Sequence, residues 1–258
     1  KTWFSSINTS KLPEYTKILQ TSKECYYTAA TVVGNKILAA RDGLDSGLYL
    51  IDPSNRYQAI YAGNLDKTLV DMAYSPNNNL VFGVEGVNLH CFQPDDIDGF
   101  EGVTDMGDVA LGEKLVGITY AGSSEEAKHG LVDWFYVVTQ GGRLVEFGYS
   151  VKENGFLYGD DSKEVFRDLG DTGIRTGDEW AYNSLYCDPV SGYTFWSVYD
   201  GGDAVKLYAL APYELVDDAL LAAYFLGSLP QGDWPFVGVY GTSGRDGYSF
   251  EVKRKEGR

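Results

Sequence analysis

Short apolar runs separated by polar turns recur along the whole chain. The clearest stretch is 69–96, in which three runs have the length and residue types typical of strands. These runs are Val70–Tyr74, Leu80–Val84 and Leu89–Phe92. The turns between them, Ser75–Asn79 and Glu85–Asn88, contain Pro, Asn and Gly, which favour turns over a hydrogen-bonded ladder. The pattern therefore predicts consecutive short strands.

The same unit recurs, and its first strand is the easiest part to align. Similar four-residue runs are Thr28–Thr31, Asp71–Tyr74, Gly117–Tyr120, Asn183–Tyr186 and Val237–Tyr240. Tyr occupies the fourth place in four of these five runs. Each run is followed by a turn and a second strand, and a third strand follows in the first four copies. Recurring units of consecutive short strands are typical of β-propellers, in which each blade is a four-stranded sheet.

The fifth copy ends before its sheet would be complete. Lys1–Asn8 and Glu14–Leu19 have the character of the missing strands. The sequence thus predicts one all-β domain, a five-bladed β-propeller whose last blade is closed by these N-terminal strands. The expected blades cover residues 25–63, 67–107, 114–170, 180–228, and 234–258 together with 1–24. The alternative, a β-sandwich, would not explain the recurring Tyr.

Two segments interrupt the repeat. Ser123–Gly130 is polar and falls in the turn between a first and a second strand. Glu214–Ala223 is rich in Ala and Leu, which favour a short helix. We interpret both as insertions within blades.

The loose repeat of the inner-strand runs resembles the β-propellers of quinoprotein-like and related bacterial cell-surface proteins. It lacks the Trp-Asp dipeptides of WD40 blades and the paired glycines of kelch repeats. The resemblance covers nearly the whole chain and is to an architecture more than to one family. It implies a propeller domain in an extracellular or cell-surface setting.

The charge of the chain narrows the choice of partners. There are 37 acidic and 21 basic residues, and the net charge is −16. Nucleic-acid binding requires a basic footprint, so we expect no nucleic-acid partner, and anionic membranes are equally disfavoured. No apolar stretch reaches the roughly 18 residues of a membrane span, so we expect no membrane insertion. The first residues, Thr2–Ile7, form a strand-like run, and we expect the chain to be part of a larger polypeptide or assembly.

One acidic residue stands at the position where inner strands begin. In the five copies this position holds Thr28, Asp71, Gly117, Asn183 and Val237. Propeller glycoside hydrolases need two carboxylates about 5–10 Å apart. The hypothesis of a hydrolase therefore requires Asp71 and a second acidic residue from a loop. The candidates are Glu85, Asp178, Glu179, Asp200 and Asp233. A structural hydrogen bond is the other interpretation of Asp71.

The loops expected on one face of the propeller carry charged and aromatic residues. Trp180 and Trp234 precede their inner strands at matching places. Such rings either stack on a sugar or peptide or fill the space between blades. The predicted ligand-binding residues are Arg41, Asp42, Asp71, Arg143, Asp178, Trp180, Asn183, Asp200, Asp233 and Trp234.

Evidence for a cofactor is sparse. Asp95–Glu101 places oxygen ligands at alternate positions next to a Gly, so Asp96 and Asp98 are weak calcium candidates. The 2 His and 3 Cys residues lack the spacing of a zinc site or of a disulfide framework, and we expect buried thiols. We expect no cofactor, with calcium as the possible exception.

These observations favour a non-catalytic binding or scaffolding propeller of a secreted or surface-attached protein, with a glycan or protein ligand on the loop face. A carbohydrate-active hydrolase using Asp71 and a loop carboxylate is the first alternative. A structural assembly subunit is the second.

Overall fold

The computed structural model describes residues 3–7, 15–20, 25–43, 45–106, 112–157, 166–176, 184–188, 192–199, 204–210, 223–230 and 249–250. The strands are β1 Trp3–Ile7, β2 Tyr15–Gln20, β3 Cys25–Val33, β4 Lys36–Gly43, β5 Gly47–Asp52, β6 Gln58–Gly63, β7 Asp71–Ser75, β8 Leu80–Glu85, β9 Asn88–Gln93, β10 Asp96–Asp105, β11 Leu115–Glu126, β12 Gly130–Thr139, β13 Arg143–Ser150, β14 Gly155–Phe156, β15 Phe166–Asp171, β16 Ser184–Cys187, β17 Thr194–Tyr199, β18 Ala204–Leu210, β19 Ala223–Pro230 and β20 Ser249–Phe250. A single-turn 3-10 helix, Pro53–Asn55, begins after Asp52, whose carboxylate accepts the Ser54 N–H.

Four antiparallel sheets form the blades within the described residues. Blade 1 is β3-β4-β5-β6, blade 2 is β7-β8-β9-β10 and blade 4 is β16-β17-β18-β19. Blade 3 is β11-β12-β13 with β14 and β15 paired to β13. Within blade 2, strands that follow one another in sequence are joined by short turns, as in propellers. The predicted all-β propeller is therefore confirmed.

The predicted number of blades is wrong. Among the described residues the structure has four blades, not five, and the N-terminal strands do not close a blade. Instead, β1 and β2 form a three-stranded sheet with β20, and in the described part of the chain two residue pairs join β1 to β20. A strand-like run shows that a segment can pair, but the number of partners it finds depends on packing with the rest of the sheet. The inner strand predicted at Val237–Tyr240 lies outside the described residues.

Successive blades pack through their inner strands, in the order β3, β7, β11, β16. The layer between blades 2 and 3 is aromatic: the Phe82 ring lies 5.0 Å from Phe135 and 5.4 Å from Phe147, edge to face in both cases. Blades 1 and 2 share a mainly aliphatic layer that includes Leu48 and Leu69 together with the buried Phe92. Blades 3 and 4 meet around Trp196, which is fully buried. Burial of these alternating side chains drives the stacking of the blades.

Side-chain oxygens on the inner strands also connect neighbouring blades. Thr31 Oγ1 of blade 1 accepts the Tyr74 N–H of blade 2 at 3.1 Å. Thr119 Oγ1 of blade 3 accepts the Cys187 N–H of blade 4 at 2.8 Å. An inner-strand N–H that faces the next blade has no partner within its own sheet, so these bonds satisfy donors that would otherwise be buried without an acceptor.

The polar segment Ser123–Gly130 is not an irregular insertion. It extends the hairpin, because β11 continues to Glu126 and pairs with β12 down to Gly130. The Trp134 indole N–H donates to Ser124 Oγ at 2.7 Å and helps to hold this extension. The predicted helix at Glu214–Ala223 lies, up to residue 222, outside the described residues.

Two further expectations concern single features. Cys91 and Cys187 are buried free thiols, as predicted. In the part of the chain that the structure describes, no helix has the length and apolar character needed to span a membrane.

Candidate binding site on the loop face

The turns β4–β5, β8–β9 and β12–β13 lie at the same end of the blades as the connections that lead from one blade to the next. We call this end the loop face. Backbone hydrogen bonds join the two kinds of segment: the Leu115 N–H donates to Gly86 O at 2.7 Å and the Gln140 N–H donates to Lys114 O at 2.8 Å. These bonds fix the end of the connection from blade 2 to blade 3 against the β8–β9 turn of blade 2 and the β12–β13 turn of blade 3.

A groove opens on the loop face where blades 1, 2 and 3 meet. We call it the interblade groove. It is lined by Asp42, Thr68, Val70, Glu85, Gly86, Lys114 and Leu115, and its volume is about 420 Å³. That volume falls within the roughly 300–1,000 Å³ range of pockets that bind small molecules.

The wall of the groove from blade 2 is ordered by a hydrogen bond. Glu85 is the last residue of β8, and its Oε2 accepts the Thr68 N–H at 3.0 Å. Thr68 belongs to the connection between blades 1 and 2 and is exposed. The bond therefore fixes one carboxylate oxygen of Glu85 at the groove, and a carboxylate has further lone pairs for a ligand.

The rest of the lining is part apolar and part charged. Val70 and Leu115 are almost completely buried and form the apolar part. Asp42, near the end of β4, and Glu85 bring carboxylates from two different blades. Lys114, which is exposed and immediately precedes β11, contributes an ammonium group to the described lining. The groove can thus accommodate a ligand that combines an apolar portion with a charged or polar group.

Arg41 was predicted to bind ligand, and the structure places it inside the protein. Its guanidinium carbon lies 3.7 Å from the ring centroid of Tyr49. Its Nη2 donates to the Tyr27 hydroxyl at 2.7 Å, and the residue is 7% exposed. The Arg41 guanidinium thus stacks on one tyrosine ring and donates to the hydroxyl of another. These contacts give Arg41 a packing role within blade 1, next to Asp42.

Asp71 is the first residue of the inner strand β7 and is fully buried. Its Oδ1 accepts the Met72 N–H at 3.0 Å. Its Oδ2 accepts the Ile118 N–H of blade 3 at 2.9 Å and the Leu185 N–H of blade 4 at 3.3 Å. Burial raises the pKa of the Asp71 carboxyl well above its ordinary value, and the three N–H donors oppose that shift. Asp71 therefore connects three blades and presents no surface to a ligand.

Arg143 lies at the start of β13 and pairs with Asp168 of β15. In the β12–β13 turn that precedes Arg143, Glu113 Oε2 accepts hydrogen bonds from the Thr139 hydroxyl and the Gly141 N–H, and these bonds fix the turn. A side chain at Gly141 would collide with the Glu113 carboxylate, since a Cβ there would lie 2.1 Å from Oε1. Arg143 is not part of the groove lining.

The remaining predicted residues fall into two groups. Asp178, Trp180, Asn183, Asp200, Asp233 and Trp234 lie outside the described residues. Asp96 and Asp98 lie in β10, whose pairing with β9 is irregular between Asp96 and Phe100. Calcium binding by these residues stays a prediction.

Among the described residues, the groove includes one predicted ligand-binding residue, Asp42, and one of the loop acids, Glu85. Sequence reasoning missed Thr68 and Lys114. Both lie in connections between blades, shortly before an inner strand. Trp180 and Trp234 were predicted to bind ligand because of the same position, so this position is the feature of the sequence that could have identified Thr68 and Lys114.

Comparisons with known proteins identify the fold alone. No protein-family model matches the chain, and no curated protein matches it. A solved nidogen/laminin complex contains a chain that matches with a TM-score of 0.52 at 10% identity, over 96% of this chain and 84% of that one. The fold is a β-propeller. At 10% identity the likeness carries no information about the ligand.

Two other solved structures are similar at lower scores. A Bacteroides thetaiotaomicron protein of unknown function matches with a TM-score of 0.41 at 16% identity, over 78% of this chain and 43% of that one. The WD40 domain of SCAP from fission yeast matches with a TM-score of 0.41 at 11% identity, over 85% of this chain and 49% of that one. The chain thus spans less than half the length of both of these relatives.

Proposed function

We propose that this propeller is a non-catalytic binding or scaffolding module that holds a protein ligand on its loop face. The interblade groove is the observation that carries the proposal. It combines fixed backbone, an apolar part and three charged side chains in one cavity of about 420 Å³. Propellers typically serve as binding or scaffolding domains.

The buried position of Asp71 supports a binding role over hydrolysis. A general acid or nucleophile must come within hydrogen-bond reach of its substrate. Asp71 is fully enclosed, and its oxygens accept three backbone N–H groups. The hydrolase alternative depended on this residue, so no observation on the described residues favours it.

A protein ligand suits the groove better than a glycan. Sugar sites commonly stack a ring on an aromatic side chain. None of the seven lining residues in the described part of the chain is aromatic. We keep a secreted or surface-attached setting as part of the proposal because of the net charge of −16, and fractionation of the source cells tests it.

Selection from a displayed library of random peptides, in parallel with a glycan array, tests the proposal. Thr68→Trp places a large side chain at the exposed rim of the groove. Ala127→Trp is the matched control, because Ala127 is exposed in the β11–β12 turn at the opposite end of the blades. We expect the selected peptides to bind Thr68→Trp about tenfold more weakly, a loss of roughly 1.4 kcal/mol, and to bind the control unchanged.

Three outcomes would contradict the proposal. The library could yield no binder, or Thr68→Trp could leave every selected peptide unaffected. The array could also show glycan binding that Thr68→Trp abolishes while peptides fail to bind, and this would assign the groove to a sugar.

A further inference from the structure

We propose that Asn154, in the turn between β13 and β14, is a site of spontaneous deamidation in the folded protein, where the Gly155 backbone nitrogen attacks the asparagine side chain. The proposal does not depend on the ligand of the loop face, because β13 begins at that face and this turn follows its far end. It follows from the residue after Asn154, from the backbone conformation of the turn and from the short strand that closes it.

The residue after an asparagine controls this reaction. The next backbone nitrogen must reach the side-chain carbonyl carbon Cγ, and a side chain on that next residue hinders the approach. Asn154 is the only asparagine of the sequence that is followed by glycine. Because Gly155 has no Cβ, its nitrogen can approach Asn154 Cγ with the least steric hindrance.

The reaction needs water and no other reagent. The Gly155 nitrogen forms a bond to Asn154 Cγ, the bond from Cγ to Nδ2 breaks, and the Gly155 amide proton leaves with Nδ2 as ammonia. Water then opens the five-membered succinimide ring. Opening at Cγ gives aspartate, and opening at the backbone carbonyl gives isoaspartate. No atom is oxidised or reduced.

The conformation of Asn154 places the side-chain amide in reach of solvent. Asn154 is exposed, and its φ of +49° lies in the left-handed region, which residues other than glycine seldom adopt. Asparagine tolerates this region better than most residues, which suits it to turns. The amide that must be lost is therefore held at the surface rather than enclosed between blades.

The strand after Asn154 is short. In the described part of the chain, β14 spans Gly155–Phe156 and pairs with β13 through these two residues. The Leu157 N–H adds a bond to Gly148 O at 3.1 Å. Short pairings of this kind open locally at a lower free energy than long core strands. Opening lets the Cα–C bond of Asn154 rotate, which brings the Gly155 nitrogen towards Cγ.

Asn79 provides a comparison within the same molecule. It is also exposed, has a φ of +53° and lies in a turn that precedes a strand. The next residue, however, is Leu80, which is 5% exposed, and the Asn79 side-chain oxygen accepts the Tyr74 hydroxyl at 2.9 Å. We therefore expect Asn154 to react while Asn79 stays largely intact.

Peptide mass spectrometry of the folded protein, aged for days in mildly alkaline buffer and digested at acidic pH, tests the proposal. Fresh protein digested in the same way gives the background. We expect Asn154 to be converted at least about tenfold faster than Asn79, with isoaspartate among the products.

Gly155→Ala is the variant that tests the route. A Cβ at this position would meet Glu153 O at 3.8 Å, an ordinary contact, and the φ of Gly155 lies outside the left-handed region, so the turn should be retained. An unchanged urea midpoint checks this. The rate at Asn154 should fall by about tenfold, which corresponds to a barrier higher by about 1.4 kcal/mol.

Three results would overturn the proposal. Asn154 could stay intact in the folded protein while a free peptide of residues 149–157 deamidates, and this would show that the turn protects it. Gly155→Ala could react as fast as the wild type, which would exclude attack by the Gly155 nitrogen as the controlling step. Equal rates at Asn154 and Asn79 would show that neither the glycine nor the turn selects the site.

Discussion

The carboxylates between the blades and those of the interblade groove are the same chemical groups in opposite situations. Asp71 and Asp133 are fully buried, and every contact described for them joins parts of the protein to each other. Asp42 and Glu85 are only partly buried and line a cavity. Glu85 also accepts an N–H, from Thr68, so the difference teaches that complete enclosure between blades, more than the presence of a donor, separates an acidic residue that stabilises the fold from one that lines a cavity.

The two buried aspartates also differ from each other. Asp71 accepts only backbone N–H groups, from the inner strands of blades 2, 3 and 4. Asp133 of β12 accepts mainly side chains: the Ser75 hydroxyl at 2.6 Å, the Ser123 hydroxyl at 2.7 Å and the Asn77 amide at 2.6 Å. It thereby attaches the β7–β8 turn of blade 2 to blade 3 at the end opposite the loop face. Side chains can turn towards water when their acceptor is lost, whereas backbone N–H groups within a sheet cannot.

The largest expected effect is that of Asp71→Ala. Three buried N–H groups lose their acceptor, and each buried donor left unsatisfied costs about 1–3 kcal/mol, so we expect the free energy of unfolding to fall by about 3–5 kcal/mol. Urea denaturation followed by tryptophan fluorescence measures it. A loss below about 1 kcal/mol would show that water or a shift of the strands replaces the carboxylate.

Asp133→Ala should cost less, about 1–3 kcal/mol, because the exposed Ser123 and Asn77 side chains can turn towards solvent and the fully buried Ser75 hydroxyl alone among the three side-chain donors loses its acceptor without access to water. The same urea titration applies. Glu125→Ala is its control, since Glu125 is an exposed residue of the same hairpin and should change stability by about 0.5 kcal/mol or less. A loss as large as that of Asp71→Ala would contradict the distinction between backbone and side-chain donors.

The pH dependence of stability sharpens the comparison further. Because the pKa of Asp71 is raised in the folded protein, the folded state holds a proton that the unfolded state has already released above the ordinary value of 3.8. The stability contributed by this residue is therefore full below pH 3.8 and declines as the pH rises through the raised pKa, by at most about 1.4 kcal/mol per pH unit. Asp71→Asn, which does not ionise, should lack this component. Identical pH profiles of the variant and the wild type would contradict it.

The smallest effect on stability is expected in the groove. Asp42→Asn and Glu85→Gln should each change the free energy of unfolding by about 0.5 kcal/mol or less, since the groove carboxylates are only partly buried and the amide oxygens remain acceptors. The same Glu85 variant should nevertheless alter peptide selection. A loss above about 2 kcal/mol would place Glu85 with Asp71 as a structural residue.

The sequence predicted most of the strands that build blades 1 to 4, because short apolar runs and turn residues are local properties of the chain. Val70–Tyr74 and Leu80–Val84 were expected as strands and correspond to β7 and β8. The alignment of inner strands also identified Asp71 as the lone acid at its position. Alignment could not distinguish a structural from a catalytic role for Asp71, because two of the N–H groups that donate to it belong to residues 47 and 114 positions away in the chain.

What the sequence determined by itself is an acidic all-β chain of repeated strands whose inner strands are marked by a recurring Tyr and by Asp71. The tertiary structure alone decided that the described residues form four blades, that the terminal strands form a separate three-stranded sheet, and that Arg41 is enclosed while Glu85 lines a groove. The physical reason is that strand formation depends on neighbouring residues, whereas blade number, burial and cavities depend on which distant segments pack together. The interblade groove exists only because segments of blades 1, 2 and 3 that are distant in the chain meet at one end of the blades.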